Sequence, residues 1–140
     1  MSAPVPPTLR ARLVLPSTRL RAGSQMSGEV VVDNDTGQPI DVSGCGSFYV
    51  VALSNDSYTQ SFDSLYCLQR FTIPLGTSRW PVLVLGTLTE CVDEPGGEPR
   101  CLPGGGVPPL PKGTYSAEVV VDDTTNGSIP IPDPVTITIE

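Results

Sequence analysis

Apolar residues recur at every second position through most of this chain, and no stretch carries the spacing of an amphipathic helix. Period 2 is the signature of a strand buried on one face. In residues 8–15, Leu9, Ala11, Leu13 and Leu15 share one face while Arg10 and Arg12 share the other. Residues 28–33 put Val30 and Val32 together, and Asp33-Asn34-Asp35-Thr36-Gly37 turns the chain into residues 40–42. Residues 47–53 are apolar on both faces and read as a central strand. Further runs fall at 58–62, 66–73, 80–89, 114–121 and 135–139, each closed by Gly, Pro, Asn or Asp. The 14 glycines and 16 prolines gather between the runs, as stiff turns between short strands require. Seven to nine short strands with turns at this spacing predict an all-β fold, an antiparallel β-sandwich of immunoglobulin-like type. One such domain over residues 8–140 is expected, behind a flexible tether at residues 1–7.

The four cysteines form two mirror-symmetric pairs. Cys45 and Cys67 are centred on Asp56, inside the turn-forming Asn55-Asp56-Ser57; Cys91 and Cys101 are centred on Gly96. Each pair is placed as opposed positions on the arms of a chain reversal, where Cα atoms come within disulfide reach. Four cysteines allow three connectivities, and only 45–67 with 91–101 makes both bridges local. An even count without metal-ligand spacing points to an oxidising compartment, so the expectation is a secreted or envelope protein whose leader has been removed. Arg10, Arg12, Arg19 and Arg21 interrupt every candidate signal core in the first thirty residues, and no run is long and apolar enough for a membrane helix.

A local motif sharpens the fold. Leu110-Pro111-Lys112-Gly113-Thr114-Tyr115 precedes Ala117, Val119 and Val121. In immunoglobulin-like and fibronectin-like domains such a segment builds a tyrosine corner, whose hydroxyl bonds back to upstream backbone. Tyr115 is the candidate corner, Leu110 the plug beneath it, and Gly113 the residue free to take positive φ. Trp80 is expected as a core tryptophan.

With the Asn34-Asp35-Thr36-Gly37-Gln38-Pro39-Ile40 turn, a cysteine near the next strand and the late Leu-Pro-x-Gly-x-Tyr segment, the chain resembles a bacterial immunoglobulin-like module, the domain of the Bacillus-type intracellular proteinase inhibitor. Cys67-Leu68-Gln69-Arg70-Phe71-Thr72-Ile73-Pro74, Arg79-Trp80-Pro81-Val82 and the segment from Cys101-Leu102-Pro103 to Tyr115 also resemble actinobacterial, chiefly mycobacterial, envelope proteins with no assigned activity. The second resemblance runs from about Val30 onward and implies no chemistry. The cysteines depart from the intracellular inhibitors.

Absent residue types exclude much. There is no histidine, which removes Ser-His and Cys-His nucleophile activation and the commonest transition-metal ligand. Bridged cysteines leave no thiol nucleophile, and their spacing lacks the close Cys-x-x-Cys pairs of a zinc site. The formal charge of −7 disfavours nucleic acid. Four arginines and no acid lie in residues 1–28, a solvated edge-strand face or a basic strip. Carboxylates remain: Glu90, Asp93 and Glu94, and Asp122 with Asp123, are the only basis for a small envelope hydrolase. Asp33 and Asp35 form a weak calcium candidate, which Asx-turn chemistry explains equally without a metal. Three glycosylation sequons begin at Asn34, Asn55 and Asn126. No cofactor is expected.

Residues 91–112 are the longest stretch without strand character, rich in Pro and Gly. A 91–101 bridge would brace its first half around Glu98, Pro99 and Arg100. The expected function is non-enzymatic: an exported interaction or structural module that binds a protein or glycan, monomeric or weakly dimeric through an edge strand. The alternative is a proteinase inhibitor presenting loop 91–101, with Arg100 as its specificity anchor.

Overall fold

The structure is a computed structural model, and it describes residues 8–44, 49–62, 69–121 and 129–140. Among them are nine strands: β1 (Leu9–Val14), β2 (Arg19–Leu20), β3 (Gln25–Asn34), β4 (Ile40–Gly44), β5 (Tyr49–Ser54), β6 (Gln69–Ile73), β7 (Gly76–Leu85), β8 (Gly113–Val121) and β9 (Val135–Ile139). The all-β expectation holds for these residues. One sheet has the order β1-β3-β7, a second β2-β9-β8-β5, and β4 pairs with β6 alone. Every pairing is antiparallel except β2 with β9, which is parallel.

Alternation decides which side chains go inside. Val30 and Val32 of β3, Val82 and Val84 of β7, Tyr49, Val51 and Leu53 of β5, Tyr115, Ala117 and Val119 of β8, and Ile137 and Ile139 of β9 join Val42 and Ile73 in one core. All three sheets thus contribute to a single apolar cluster. Each fully buried Val, Leu or Ile contributes roughly 1.5–3 kcal/mol by leaving water.

Val31 is fully buried although it faces away from that core. Its register neighbours are Arg12 on β1 and Arg79 on β7. Their guanidinium groups reach diagonally to Asp33 (3.6 Å) and Glu29 (2.9 Å), which lays the aliphatic stems across Val31. Arg10 pairs likewise with Asp35 at 3.6 Å. The arginines of β1 therefore form charge pairs along an edge strand.

Several boundaries differ from the sequence reading. The run 80–89 begins earlier, at Gly76, because β7 is a terminal strand of its sheet among the described residues and Pro81 sits where the missing N–H is not needed by β3. It stops at Leu85. The run 58–62 is not a strand beyond a single bridge from Thr59 to Ser54, because Asn55 Oδ1 accepts from the N–H groups of Ser57 and Tyr58 and holds the turn. The two-residue β2 was not expected at all. Only one disulfide, Cys91–Cys101, lies within the described residues; Cys45 and Cys67 lie outside them, as do the proposed tether, Asp122, Asp123 and the Asn126 sequon.

Candidate functional site

The segment between β7 and β8 is fastened at its root. Gly86 N donates to Ser24 O (2.7 Å), Gly86 O accepts from Gly23 N and Leu110 N, and Leu88 N donates to Pro108 O (2.9 Å). Gly86 is required there: a Cβ would lie 2.7 Å from Ser24 O and 3.0 Å from Arg21 O, both main chain. Leu88 and Leu110 close the root from below as buried core residues. Three residues beyond Leu110, Gly113 takes φ 152° and Tyr115 is buried, its hydroxyl donating to Pro111 O at 2.7 Å.

Above the root, Cys91 and Cys101 are joined across a Cα–Cα distance of 4.9 Å. Val92 N donates to Pro99 O (2.6 Å), and Val92 O accepts from Cys101 N (3.2 Å). This bridge between Val92 and Arg100 is parallel, so the chain makes a full loop between the two cysteines and not the hairpin expected from their symmetry. The loop tightens through Gly97 N to Glu94 O (3.0 Å), with Val92 packed directly under Gly97. Because Val92 occupies Pro99 O and Cys101 N, the N–H and C=O of Arg100 point the opposite way. The Arg100 and Glu98 side chains are exposed, Pro99 is half-buried, and Leu102 stands 44% exposed at the next turn. Changing Cys91 and Cys101 together to Ser should lower stability by about 3 kcal/mol, from the entropy of the opened chain. Urea unfolding of oxidised and variant protein measures it; a change below about 1 kcal/mol would mean the loop is held by its hydrogen bonds alone.

The remaining candidates have structural surroundings. Asp33 faces Arg12 and accepts from Thr77 Oγ1 (2.7 Å), and Asp35 faces Arg10. Between them the Asn34 side chain is buried. Its Nδ2 donates to Gln38 O (2.9 Å) and Ile73 O (3.3 Å), and its Oδ1 accepts from the Thr36 N–H and hydroxyl. The Asp33–Gly37 turn therefore closes around an asparagine amide. Asn34→Ala should cost about 3 kcal/mol by orphaning these partners, read as a shift of the denaturation midpoint. Asn55 is engaged the same way, with Nδ2 donating to Thr114 O at 3.3 Å. Trp80 faces inward at the margin of the core, half-buried, edge-on to Phe71 at 6.2 Å, and donates from Nε1 to Ser78 Oγ. Glu90 is exposed, and no three His, Cys, Asp or Glu side chains gather among the described residues.

One residue was missed. Gln60 is 3% exposed and spans the space between the second sheet and the first. Its Oε1 accepts from Leu53 N on β5 (2.8 Å), and its Nε2 donates to Leu85 O (2.7 Å) and Thr87 O (2.8 Å) at the end of β7. The available signal was a lone amide between Tyr58 and Phe62 on one face of an alternating run. Beyond Gln60 lies a groove of about 480 Å³ lined by Tyr49, Val51, Phe62, Pro81, Leu83 and Leu85, among others, with no charged side chain among the described residues that line it.

No protein-family model matches the chain, and no curated protein matches it. No helix among the described residues is long and apolar enough to cross a membrane.

Proposed function

We propose that this chain is a non-enzymatic interaction module of immunoglobulin-like β-sandwich type, exported to an oxidising compartment, that binds a protein partner through the loop between β7 and β8. The parallel β2–β9 pair, the strand order β2-β9-β8-β5 and the Tyr115 hydroxyl bond support the immunoglobulin-like assignment. The carrying observation is the loop itself. It is rooted by main-chain bonds to Gly86 and Leu88 and braced by Cys91–Cys101, while Glu98, Arg100 and Leu102 remain exposed. A surface held this way loses little entropy on binding. A photo-crosslinker at position 102 in the exported protein, exposed to envelope extract, should capture one partner. The variant with Glu98, Arg100 and Leu102 all changed to Ser should not compete for it. Capture that is equal in both, or absent, removes this reading.

A second reading rests on Arg100 alone. Its exposed side chain and outward-facing N–H and C=O match what a trypsin-like protease engages when it binds an extended, rigid segment. Tight inhibition of such a protease, abolished by Arg100→Ala, is the expected result. No inhibition across a panel of serine proteases eliminates it.

A further inference from the structure

We propose that the Cys91–Cys101 bridge is a redox latch: a dithiol reductant opens it and releases the outer loop while the sandwich stays folded. The bonding of the segment divides at the two sulfurs. Below them, Gly86 bonds to Gly23 and Ser24, Thr89 N donates to the Tyr58 hydroxyl (3.2 Å), and Leu88 N and Leu110 N fasten the two arms together. Above them, among the described residues, every main-chain hydrogen bond of residues 92–106 stays within the loop. Val92 bonds to Pro99 and Cys101, Gly97 N to Glu94 O, Leu102 N to Gly106 O (2.8 Å) and Gly105 N to Leu102 O (2.9 Å). No ion pair among the described residues ties Asp93, Glu94, Glu98 or Arg100 to the sandwich. The outer loop is therefore a unit that can open by itself, with the root left intact.

With the bridge cut, the arms meet only through the two Val92 bonds and the packing of Val92 under Gly97. The net gain from two such bonds is matched by the entropy of closing a loop whose ends are 10 positions apart, so the reduced loop opens readily. The sulfurs are within reach of a reductant. Both cysteines are half-buried, and Gly106 O lies 3.9 Å from Cys91 Sγ in an exposed setting. Open space stands where side chains on Gly104, Gly105 and Gly106 would be. A thioredoxin-like dithiol supplies the two electrons. Its thiolate attacks Cys91 Sγ, the S–S bond breaks, and Cys101 leaves as a thiolate that takes a proton. The second thiol of the reductant, giving up its proton, then displaces Cys91 from the mixed disulfide. The reductant departs as a disulfide, and both loop cysteines are left as thiols. The consequence for binding rests on the reading of this loop as the partner surface: Glu98, Arg100 and Leu102 lose their fixed arrangement, and ordering them again weakens binding.

The test follows amide exchange in the oxidised full chain before and after dithiothreitol, with mass-tagged alkylation reading Cys91 and Cys101 individually. Once both take the tag, the amides of Val92 and Cys101 should exchange at least tenfold faster, and those of Gly86, Leu88 and Leu110 should not change. Trypsin should cut after Arg100 at least tenfold faster. The variant with Cys91 and Cys101 both changed to Ser should show this pattern without reductant and ignore its addition, which separates the latch from any action of the reductant at Cys45 and Cys67. Capture of the partner at position 102 should fall at least tenfold on reduction and return on reoxidation. Sulfurs that resist the dithiol until the protein unfolds, Val92 exchange that reduction leaves unchanged, or a rise at Leu110 equal to that at Val92 would each overturn the inference. Exchange that opens as described while position 102 captures nothing in either state upholds the latch and removes the partner reading alone.

Discussion

Replacing Gln60 by leucine should destabilise the protein by about 4 kcal/mol, more than any single surface change. Leucine is comparable in bulk, though one atom shorter, so the site stays largely filled while Leu53 N–H, Leu85 C=O and Thr87 C=O lose their partners. Each buried group left unsatisfied costs roughly 1–3 kcal/mol, and leucine's own burial offsets only part of the sum. Against a total stability of about 5–15 kcal/mol that loss is severe. Gln60→Glu separates hydrogen bonding from shape. It keeps the acceptor for Leu53 but points a carboxylate oxygen at two carbonyls, so its folded-state pKa must rise above the usual carboxylate value. A group raised on folding contributes stability below its unfolded pKa and loses it as pH rises. The deficit of Gln60→Glu relative to wild type should therefore shrink on acidification toward pH 4, whereas that of Gln60→Leu should not. Urea titrations at two pH values decide this; equal deficits at both would refute the assigned bonds.

Alkaline pH should unfold the protein through two tyrosines. Burial raises the phenol of Tyr49 well above its ordinary value, and its hydroxyl donates to Pro130 O at 2.7 Å. Tyr115 is raised by the same cause, opposed in part by the Asn55 side chain. In the unfolded chain both ionise near pH 10, while the folded protein retains their protons. The unfolded state then binds fewer protons, so stability falls as pH rises through that value. The limiting slope is about 1.4 kcal/mol per pH unit for a tyrosine that stays protonated in the folded state, as Tyr49 does, and Tyr115 adds to the loss in the same direction. Denaturation midpoints at pH 9 and 11 measure it. Tyr49→Phe and Tyr115→Phe should each flatten the decline, even though each also lowers stability at neutral pH by removing a buried bond. A flat profile in the wild type would show that neither hydroxyl is held as described.

Much of the fold could be read from residue order where one face is unambiguous. In β8, Tyr115, Ala117 and Val119 are buried and Thr114, Glu118 and Val120 are exposed, so the pattern fixes strand and phase together. In β7 the sequence is apolar in both phases from Trp80 to Leu85. Phase is then undetermined, and the strand was placed several residues late. β2 escaped notice because its two residues are held by pairing with Thr138 and Ile139, a relation no local pattern carries. The braced loop was legible through Cys91, Cys101 and its prolines, although the parallel return at Arg100 was not. Gln60 was least visible. Its identity matters only through main-chain atoms of Leu85 and Thr87, and those come near it only once two sheets have met.

The longest ladder joins β3 to β7, pairing Gln25 with Leu85 and Asn34 with Gly76, partners some forty to sixty positions apart along the chain. Closing so large a circuit has an entropic cost that must be met before any contact across it is rewarded. High contact order of this kind places folding on the millisecond-to-second scale typical of all-β domains, not the microsecond scale of helical bundles. For that interval the edges of β3 and β7 are bare, exposed to whatever chain diffuses past. Pro81 and the paired charges along the outer face of the first sheet then act as gatekeepers, discouraging the nascent polypeptide from stacking with its neighbours.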